Sequence, residues 1–510
     1  MLRKLVIIST LLISLGSCTK DFERININPN APASVPLDYL LSAATLYIPG
    51  SAGDPGYKAW RANFIYASTV IQQMASIEVS FYRGTVYTYQ GDLSEAYFVN
   101  SYPNSIKNLV NLITLAQADA KNVNTLSMAR ILRVVEMAII TDLYGDVPYK
   151  EAGLGYLSSI FSPKYDAQKD IYADMLKELD EAGKAFNASA YIPKTADFLY
   201  TGDLDKWKKA ANSLMLRLAM RMQKVDAASA QTWAKKAIDG GIMASNDDSF
   251  AIKFSNTGAG TNSNANSWNL GAGRGIAAGN NIQWAKTFID AMKTRKDPRL
   301  TVISALKNGD RTIAKQRGIP SGTDAIGLKA LDETNLDNYS RVAPNMYALE
   351  NPFFIMTHAE ARLLKAEAIE RGWATGTAKA EFDAGQAAGV RQLTSYAGAA
   401  ATIADADVTT YTSANPYPSG DLAAKMNAIH TEMWLITGST LNHIEGWSNW
   451  RRTGYPVLTP VNYIGNETNG QIPRRLRYPQ GEPGINPNIQ EAITRQGPDL
   501  FTTRIWWDKQ

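Results

Sequence analysis

Three histidines, 48 acidic residues and one cysteine are the raw material for catalysis or metal binding in this 510-residue chain. Their spacing favours neither. His430 and Glu432, like His443 and Glu445, sit two apart, which on a helix turns them to different faces, and no HExxH motif is present. These histidines read as structural hydrogen-bonding groups. Asp247 and Asp248 are adjacent, which gives no carboxylate separation of the kind glycoside hydrolysis uses, so they read as a turn or a helix cap. There is no GxSxG elbow for a serine nucleophile. The stretch GAGRGIAAG, residues 271–279, has the glycine density of a phosphate cradle but lacks the Lys-Ser/Thr ending, and no strand runs straight into it.

Two aromatic segments carry a different chemistry. Tyr and Trp combine a flat apolar face with a polar tip, suited to stacking on the C–H face of a sugar while Asn, Arg or Asp hydrogen-bond its hydroxyls. FYRGTVYTYQGDLSEAYFVNSY, residues 81–102, holds Tyr82, Tyr87, Tyr89 and Tyr97 with no sustained helical or strand alternation, and reads as a loop-rich surface segment. Trp268 lies among Asn264, Asn266 and Asn269 in about 27 residues rich in Asn, Gly and Ser. Loops of that length in a compact body are usually functional or disordered. Ligand contact is favoured for Trp268 and Asn266; for the tyrosines, ligand contact and packing beneath the loops are evenly matched.

Helices must position these loops. Residues 126–140 are apolar around most of their circumference, so this helix is expected to be buried. Ile171, Met175, Leu179, Ala182 and Phe186 mark a second stripe. Trp207, Ala210, Ala211, Leu214, Met215, Leu218 and Met222 mark a third, with Asp205 as its cap. A shorter helix around 232–238 stops at Gly240 and Gly241. Phe250, Ile252 and Phe254 alternate as one short strand. Helix returns near 282–292; Thr357 and Glu360 form a capping box that opens another, closed at Gly372, and further helices fit 377–394, 421–436 and 440–450. Residues 301–350 are mixed and glycine-interrupted. The expected fold is mainly α, a degenerate tetratricopeptide-like set of helix pairs with a loop-rich side and a few short strands.

The N-terminus gives an address. Arg3 and Lys4 precede an apolar run over residues 5–15, which fits a signal-peptide core and is too short to span a bilayer. Leu15, Gly16 and Ser17 lead to Cys18, the sole cysteine, and this resembles the lipobox of bacterial lipoproteins, whose cysteine is acylated. Residues 1–17 are thus expected to be a signal, 18–36 a lipidated tether rich in Asn and Pro, and 37–510 one body with loop insertions near 81–102, 255–281 and 301–350. A lone cysteine makes no intramolecular disulfide, and lipidation removes it from thiol catalysis. The net charge of +4 falls to about +2 without Arg3 and Lys4, and no polybasic block interleaved with aromatics is present, so nucleic acid is not an expected partner.

Five motifs carry a family resemblance: LYGDVPY at 143–149, WKKAANSLMLRLAMR at 207–221, THAEARLLKAEAIERGW at 357–373, EGWSNWRRTGYP at 445–456 and PRRLRYP at 473–479. In this order, with the opening CTKDFERININPNAP, the chain resembles the SusD/RagB nutrient-binding outer-membrane lipoproteins of Bacteroidetes. The resemblance implies four tetratricopeptide-like helix pairs, a loop-rich ligand side, and a position on the cell surface over a TonB-dependent transporter barrel, with an oligosaccharide or, in some branches, a peptide as ligand. It implies no catalytic residues and does not identify the ligand contacts. LYGDVPY reads as the structural end of a buried helix; Trp447, Trp450, Arg451 and Arg452 read as packing, with a transporter-facing role as the alternative. The expected function is capture of an oligosaccharide by an anchored, non-enzymatic protein. A peptide ligand, a helical glycoside hydrolase and a ligand-free assembly protein are the competing readings. No cofactor is expected, and a structural calcium ion among the loops is the one metal left open.

Overall fold

In the computed structural model, helices follow the apolar stripes of the sequence across the residues described: 35–52, 57–254, 260–265, 267–268, 282–331, 335–396, 398 and 402–509. Among the longer helices are α1 (Leu37–Tyr47), α2 (Lys107–Ala116), α3 (Val123–Tyr144), α4 (Gln168–Ala185), α5 (Leu204–Arg221), α6 (Ala227–Asp239), α7 (Lys286–Thr294), α8 (His358–Glu370), α9 (Ala378–Arg391), α10 (Leu422–Ser439) and α11 (His443–Thr453). Neighbours in sequence pack against each other, α2 on α3, α4 on α3 and α5, α5 on α6, α8 on α9 and α10 on α11. The architecture is the expected one, a mainly α scaffold of helix pairs with irregular insertions.

Helix ends show why the boundaries fall where they do. α3 stops at Gly145, whose φ of 87° is a conformation that an L side chain rarely adopts. α5 is capped by Asp203, which accepts from the backbone N–H groups of Asp205 and Lys206, and not by Asp205 as expected. The cap is the residue just outside the first turn, and both acids are compatible with the pattern. At α8, Thr357 accepts from the Glu360 N–H as expected. The Glu360 carboxylate turns instead to Arg217, whose Nε and Nη2 donate to it at 2.6 and 2.7 Å, so only half of the capping box forms.

The strands are short and pair antiparallel across long sequence distances: β1 (Met74–Ala75) with β5 (Gln283–Trp284), β2 (Val147–Pro148) with β3 (Tyr165–Asp166), β4 (Phe250–Ile252) with β8 (Phe353–Met356), and β6 (Ser304–Ala305) with β7 (Arg341–Val342). One apolar cluster reaches from Leu41 to Trp507. Into it are set buried charges that lock helices together. Arg452 grips Glu367 of α8 through two bonds of 2.8 Å, and Arg451 donates to the carbonyls of Asp142 and Arg474 at 2.6 and 2.8 Å. The indole of Trp447 donates to the Pro473 carbonyl at 3.1 Å. The EGWSNWRRTGYP motif therefore ties the C-terminal segment to the helices, and its two arginines face the interior.

Candidate ligand-binding site

One segment, residues 76–90, links two features on which a ligand could act. It leaves β1 and folds back over a π-helical stretch, Ala59–Ala67, with Gly84 lying so close that a Cβ there would meet the Ile65 carbonyl oxygen at 2.6 Å. Its first half builds an aromatic cluster. Trp268 stacks on Phe64, with centroids 5.2 Å apart and planes 14° from parallel, and meets Trp60 edge-on at 5.9 Å. Trp60 in turn packs on Tyr82 at 6.1 Å, and Phe81 lies edge-on to Tyr82. Trp60 and Phe81 are partly exposed, while Tyr82 and Trp268 are buried. The Tyr82 hydroxyl and the Trp268 indole N–H find no hydrogen-bond partner among the described residues. Burial pushes the Tyr82 phenol well up, and the Glu78 charge adds to this.

The second half of the segment supports an open cleft of about 550 Å³, within the range of small-molecule sites. Four stretches wall it: Gln72, the start of α7, residues 320–324 and residues 459–464. Gln72 spans its floor, donating from Nε2 to the Thr459 carbonyl at 2.6 Å and accepting from the Thr287 hydroxyl at 2.8 Å. Its φ of 56° is uncommon for a residue with a side chain. Gly322 lets two walls meet, since a Cβ there would lie 2.3 Å from Val461 Cγ1 and its φ is 75°. Tyr463 presents a ring at the cleft and donates its hydroxyl to Asp324 Oδ2 at 2.7 Å. Asp324 also accepts from the Gly327 N–H at 2.8 Å, and these two bonds, the backbone one first, hold its carboxyl below the usual range. Lys286 is paired with Asp290. The two charged residues lining the cleft are thus both satisfied, the Thr287 hydroxyl is committed to Gln72 and the Ser321 hydroxyl is buried, which leaves Asn462 and the Tyr463 ring as the main groups open to a ligand.

A protein-family model described as "Starch-binding associating with outer membrane" matches residues 51–479. The chain belongs to the SusD-like family. No curated protein sequence matches it. Among solved structures, this SusD-like protein is similar to a chitin-binding protein, with 31% identity over 93% of this chain and 100% of the other and a TM-score of 0.82. It is also similar to a chitin-binding SusD homolog from Flavobacterium johnsoniae, with 26% identity, 93% and 99% coverage and a TM-score of 0.75. A Bacteroidetes SusD-like protein gives 26% identity, 93% and 100% coverage and a TM-score of 0.80.

The residues singled out in the sequence fall into three groups. Tyr82, Tyr87, Tyr97 and Trp268 are at most 4% exposed, so residues 81–102 are not the surface segment expected from their polar neighbours. A ring packed on every side offers no face for stacking in this conformation. Tyr97 belongs to the interior, where its hydroxyl donates to the buried Glu136, which also pairs with Lys58. Tyr87 and Tyr89 hold the cleft rim: the Tyr87 hydroxyl accepts from the Val461 N–H at 3.2 Å, the Tyr87 carbonyl accepts from the Glu467 N–H at 3.0 Å, and the Tyr89 N–H donates to Glu467 at 2.7 Å. Arg477 lies over the Tyr89 ring at 4.1 Å. Asn266 and Cys18 lie outside the described residues, as do the signal stretch 1–17 and the glycine-rich stretch 271–279. Gln72, Asp324 and Tyr463 were missed, because each is a single polar or aromatic residue on a different segment; the one local signal was the tyrosine in PVNYIG, residues 460–465.

Each histidine is hydrogen-bonded within the fold, His358 Nδ1 to Asn246 at 3.3 Å, His430 Nδ1 to Asn449 at 3.3 Å and His443 Nδ1 to Gln73 at 2.6 Å. Among the described residues, no group of three or more His, Cys, Asp or Glu is placed to hold a metal ion. An interior void of about 60 Å³ beside Arg217, Arg221 and Glu445 falls well below the size of ligand pockets.

Proposed function

We propose that this SusD-like protein is a non-enzymatic, lipid-anchored receptor at the outer-membrane surface that captures an oligosaccharide and passes it to a TonB-dependent transporter. The cleft carries this reading. It offers a tyrosine ring fixed by its hydroxyl, uncharged hydrogen-bonding side chains and, among the described residues, no unpaired charge, the complement of a neutral sugar with apolar C–H faces and many hydroxyls. The charged groups of a peptide would find no unpaired partner charge among the described residues lining it. Asp324 is the only carboxylate lining the cleft among the described residues, whereas glycoside hydrolysis takes a pair flanking the bond, which supports binding without turnover.

The two similar structures described as chitin-binding make oligomers of N-acetylglucosamine the first ligands to test. The acyl group on Cys18 would keep the body at the membrane, and residues 18–36 would give it reach. Affinity electrophoresis through gels containing chitin derivatives, starch or no polysaccharide tests the proposal. Retardation by a glycan, reduced in Tyr463→Ala, is expected. Equal mobility in every polysaccharide, together with binding of oligopeptides, would sink the glycan reading and leave the fold untouched.

A further inference from the structure

A second cleft, of about 420 Å³, shares no lining residue with the one beside Tyr463. Its walls are the start of α4, the end of a short helix (Ile489–Gln496) and residues 504–509. Two carboxylates line it, Asp146 and Asp508, and both are buried and committed. Asp146 accepts from the Gln168 N–H at 2.8 Å and from Arg495 Nε at 2.7 Å; Asp508 accepts from Arg474 Nε and from Arg504 Nη1, each at 2.7 Å. Against these two acids the cleft sets Lys169, Arg495, Arg504 and Lys509, so positive charge is in excess. Lys169 and Lys509 are exposed, and neither ammonium has an ion-pair partner among the described residues. Lys224, exposed beside them, donates to the Lys509 carbonyl at 3.1 Å and adds to the excess.

Trp506 gives this cleft a face. The ring is partly exposed, Tyr172 braces it edge-on at 5.8 Å, and its indole N–H makes no hydrogen bond among the described residues. Trp507 beside it is the opposite case, buried with its N–H given to Asp142 at 2.9 Å. An indole next to ammonium groups suits a ligand that has both C–H faces to stack and an anionic substituent to take charge-assisted hydrogen bonds. The main chain offers little to a peptide. The N–H groups of Gln168, Asp508 and Lys509 are already given to Asp146 and to the Ile505 and Trp507 carbonyls, and the Tyr165 and Lys509 carbonyls accept from Arg495 and Lys224. Strand-like peptide capture pairs main chains, whereas recognition here falls to side chains.

We propose that this cleft is a second ligand site, for a sugar bearing a carboxylate or sulfate group, with Trp506 as the stacking ring and Lys169 and Lys509 as the anion contacts. It is independent of the neutral cleft and of the lipid anchor. Isothermal titration of the protein with oligogalacturonate and with carrageenan oligosaccharides separates a carboxylate from a sulfate ligand, and an oligoglutamate peptide is the third arm. Saturable binding of at least one anionic sugar is expected. It weakens by about tenfold or more in Trp506→Ala and in Lys169→Gln/Lys509→Gln, whose two exposed side chains can change without disturbing the fold, and it weakens as salt rises towards about 0.5 M. Tyr463→Ala binds the anionic sugar as the parent does. No binding of either anionic sugar, affinity unchanged in the double lysine variant, or a loss in Tyr463→Ala equal to that in Trp506→Ala would each overturn the proposal. So would oligoglutamate binding more tightly than both sugars, which would make the cleft a contact for an acidic protein segment. Chitin oligosaccharides and maltooligosaccharides bind the lysine variant at the parental level, so a failure of this cleft and a failure of the neutral one appear with different ligands.

Discussion

Replacing Gln72 separates two opposing effects in the cleft floor. Its side chain joins Thr459 to Thr287 through two hydrogen bonds, and its backbone sits at φ 56°. A left-handed conformation costs a residue with a Cβ about 1–2 kcal/mol. The two bonds are worth about 1 kcal/mol each, net of solvent. Gln72→Ala keeps the strain and loses both bonds, so unfolding stability should fall by about 2 kcal/mol. Gln72→Gly loses the same bonds but relieves the strain, offset in part by about 0.5–1 kcal/mol of added chain entropy, so it should fall by only about 1 kcal/mol. Urea titration followed by tryptophan fluorescence reads this difference, and calorimetry with the retained glycan should show both variants weakened by about tenfold as the floor loosens. A Gly variant as unstable as the Ala variant would refute the strain argument. Unaltered glycan affinity in both would show that this floor does not shape the ligand site.

Three further outcomes follow from the same geometry. Tyr82→Phe removes a buried hydroxyl with no partner among the described residues and should leave stability equal or raised by about 1 kcal/mol, whereas Tyr87→Phe strands the Val461 N–H and should cost about 1–3 kcal/mol; denaturation midpoints of the two variants test the contrast. Glu367→Gln leaves Arg452 buried with its charge uncompensated and should destabilise by about 3–5 kcal/mol in urea unfolding, without direct contact to the cleft. Acid should destabilise the fold from below pH 6.5. Burial pushes the His443 imidazole down to about 3, so between that value and its unfolded one near 6.5 the unfolded chain binds the extra proton. Stability then declines as pH falls, by about 1.4 kcal/mol per unit for this group. Burial alone would raise the Glu367 carboxyl, but Arg452 and His430 hold it well below its ordinary value, which adds loss below about pH 4.5. Urea midpoints that do not change between pH 7 and pH 5 would contradict this.

What the sequence disclosed tracks the range of each interaction. The stripe from Trp207 to Leu218 marks a helix because residues three and four apart share one buried face, and α5 forms across it. The alternation at 250–254 likewise marks β4, although its partner 353–356 could not be read locally. Residues 81–102 resisted because their burial is imposed by distant segments: Trp60 covers Tyr82, the 461–467 loop covers Tyr87, and Glu136 of α3 receives Tyr97. Polar neighbours in such a segment say little about exposure. The cleft was invisible for the same reason, since Gln72, Lys286, Asp324 and Tyr463 meet only after folding. Tyr87 and Tyr89 were singled out for a face to stack on, and instead they fasten the rim on which Tyr463 sits.

The most direct measurement is isothermal titration of the protein and its Tyr463→Ala variant with chitin oligosaccharides, with maltooligosaccharides and oligopeptides in parallel. The account predicts saturable binding of a neutral oligosaccharide that weakens by about tenfold or more when the Tyr463 ring is removed, with no cleavage of the sugar after prolonged incubation. Binding of peptides alone, hydrolysis of the glycan, or a Tyr463→Ala variant that binds as well as the parent would contradict it.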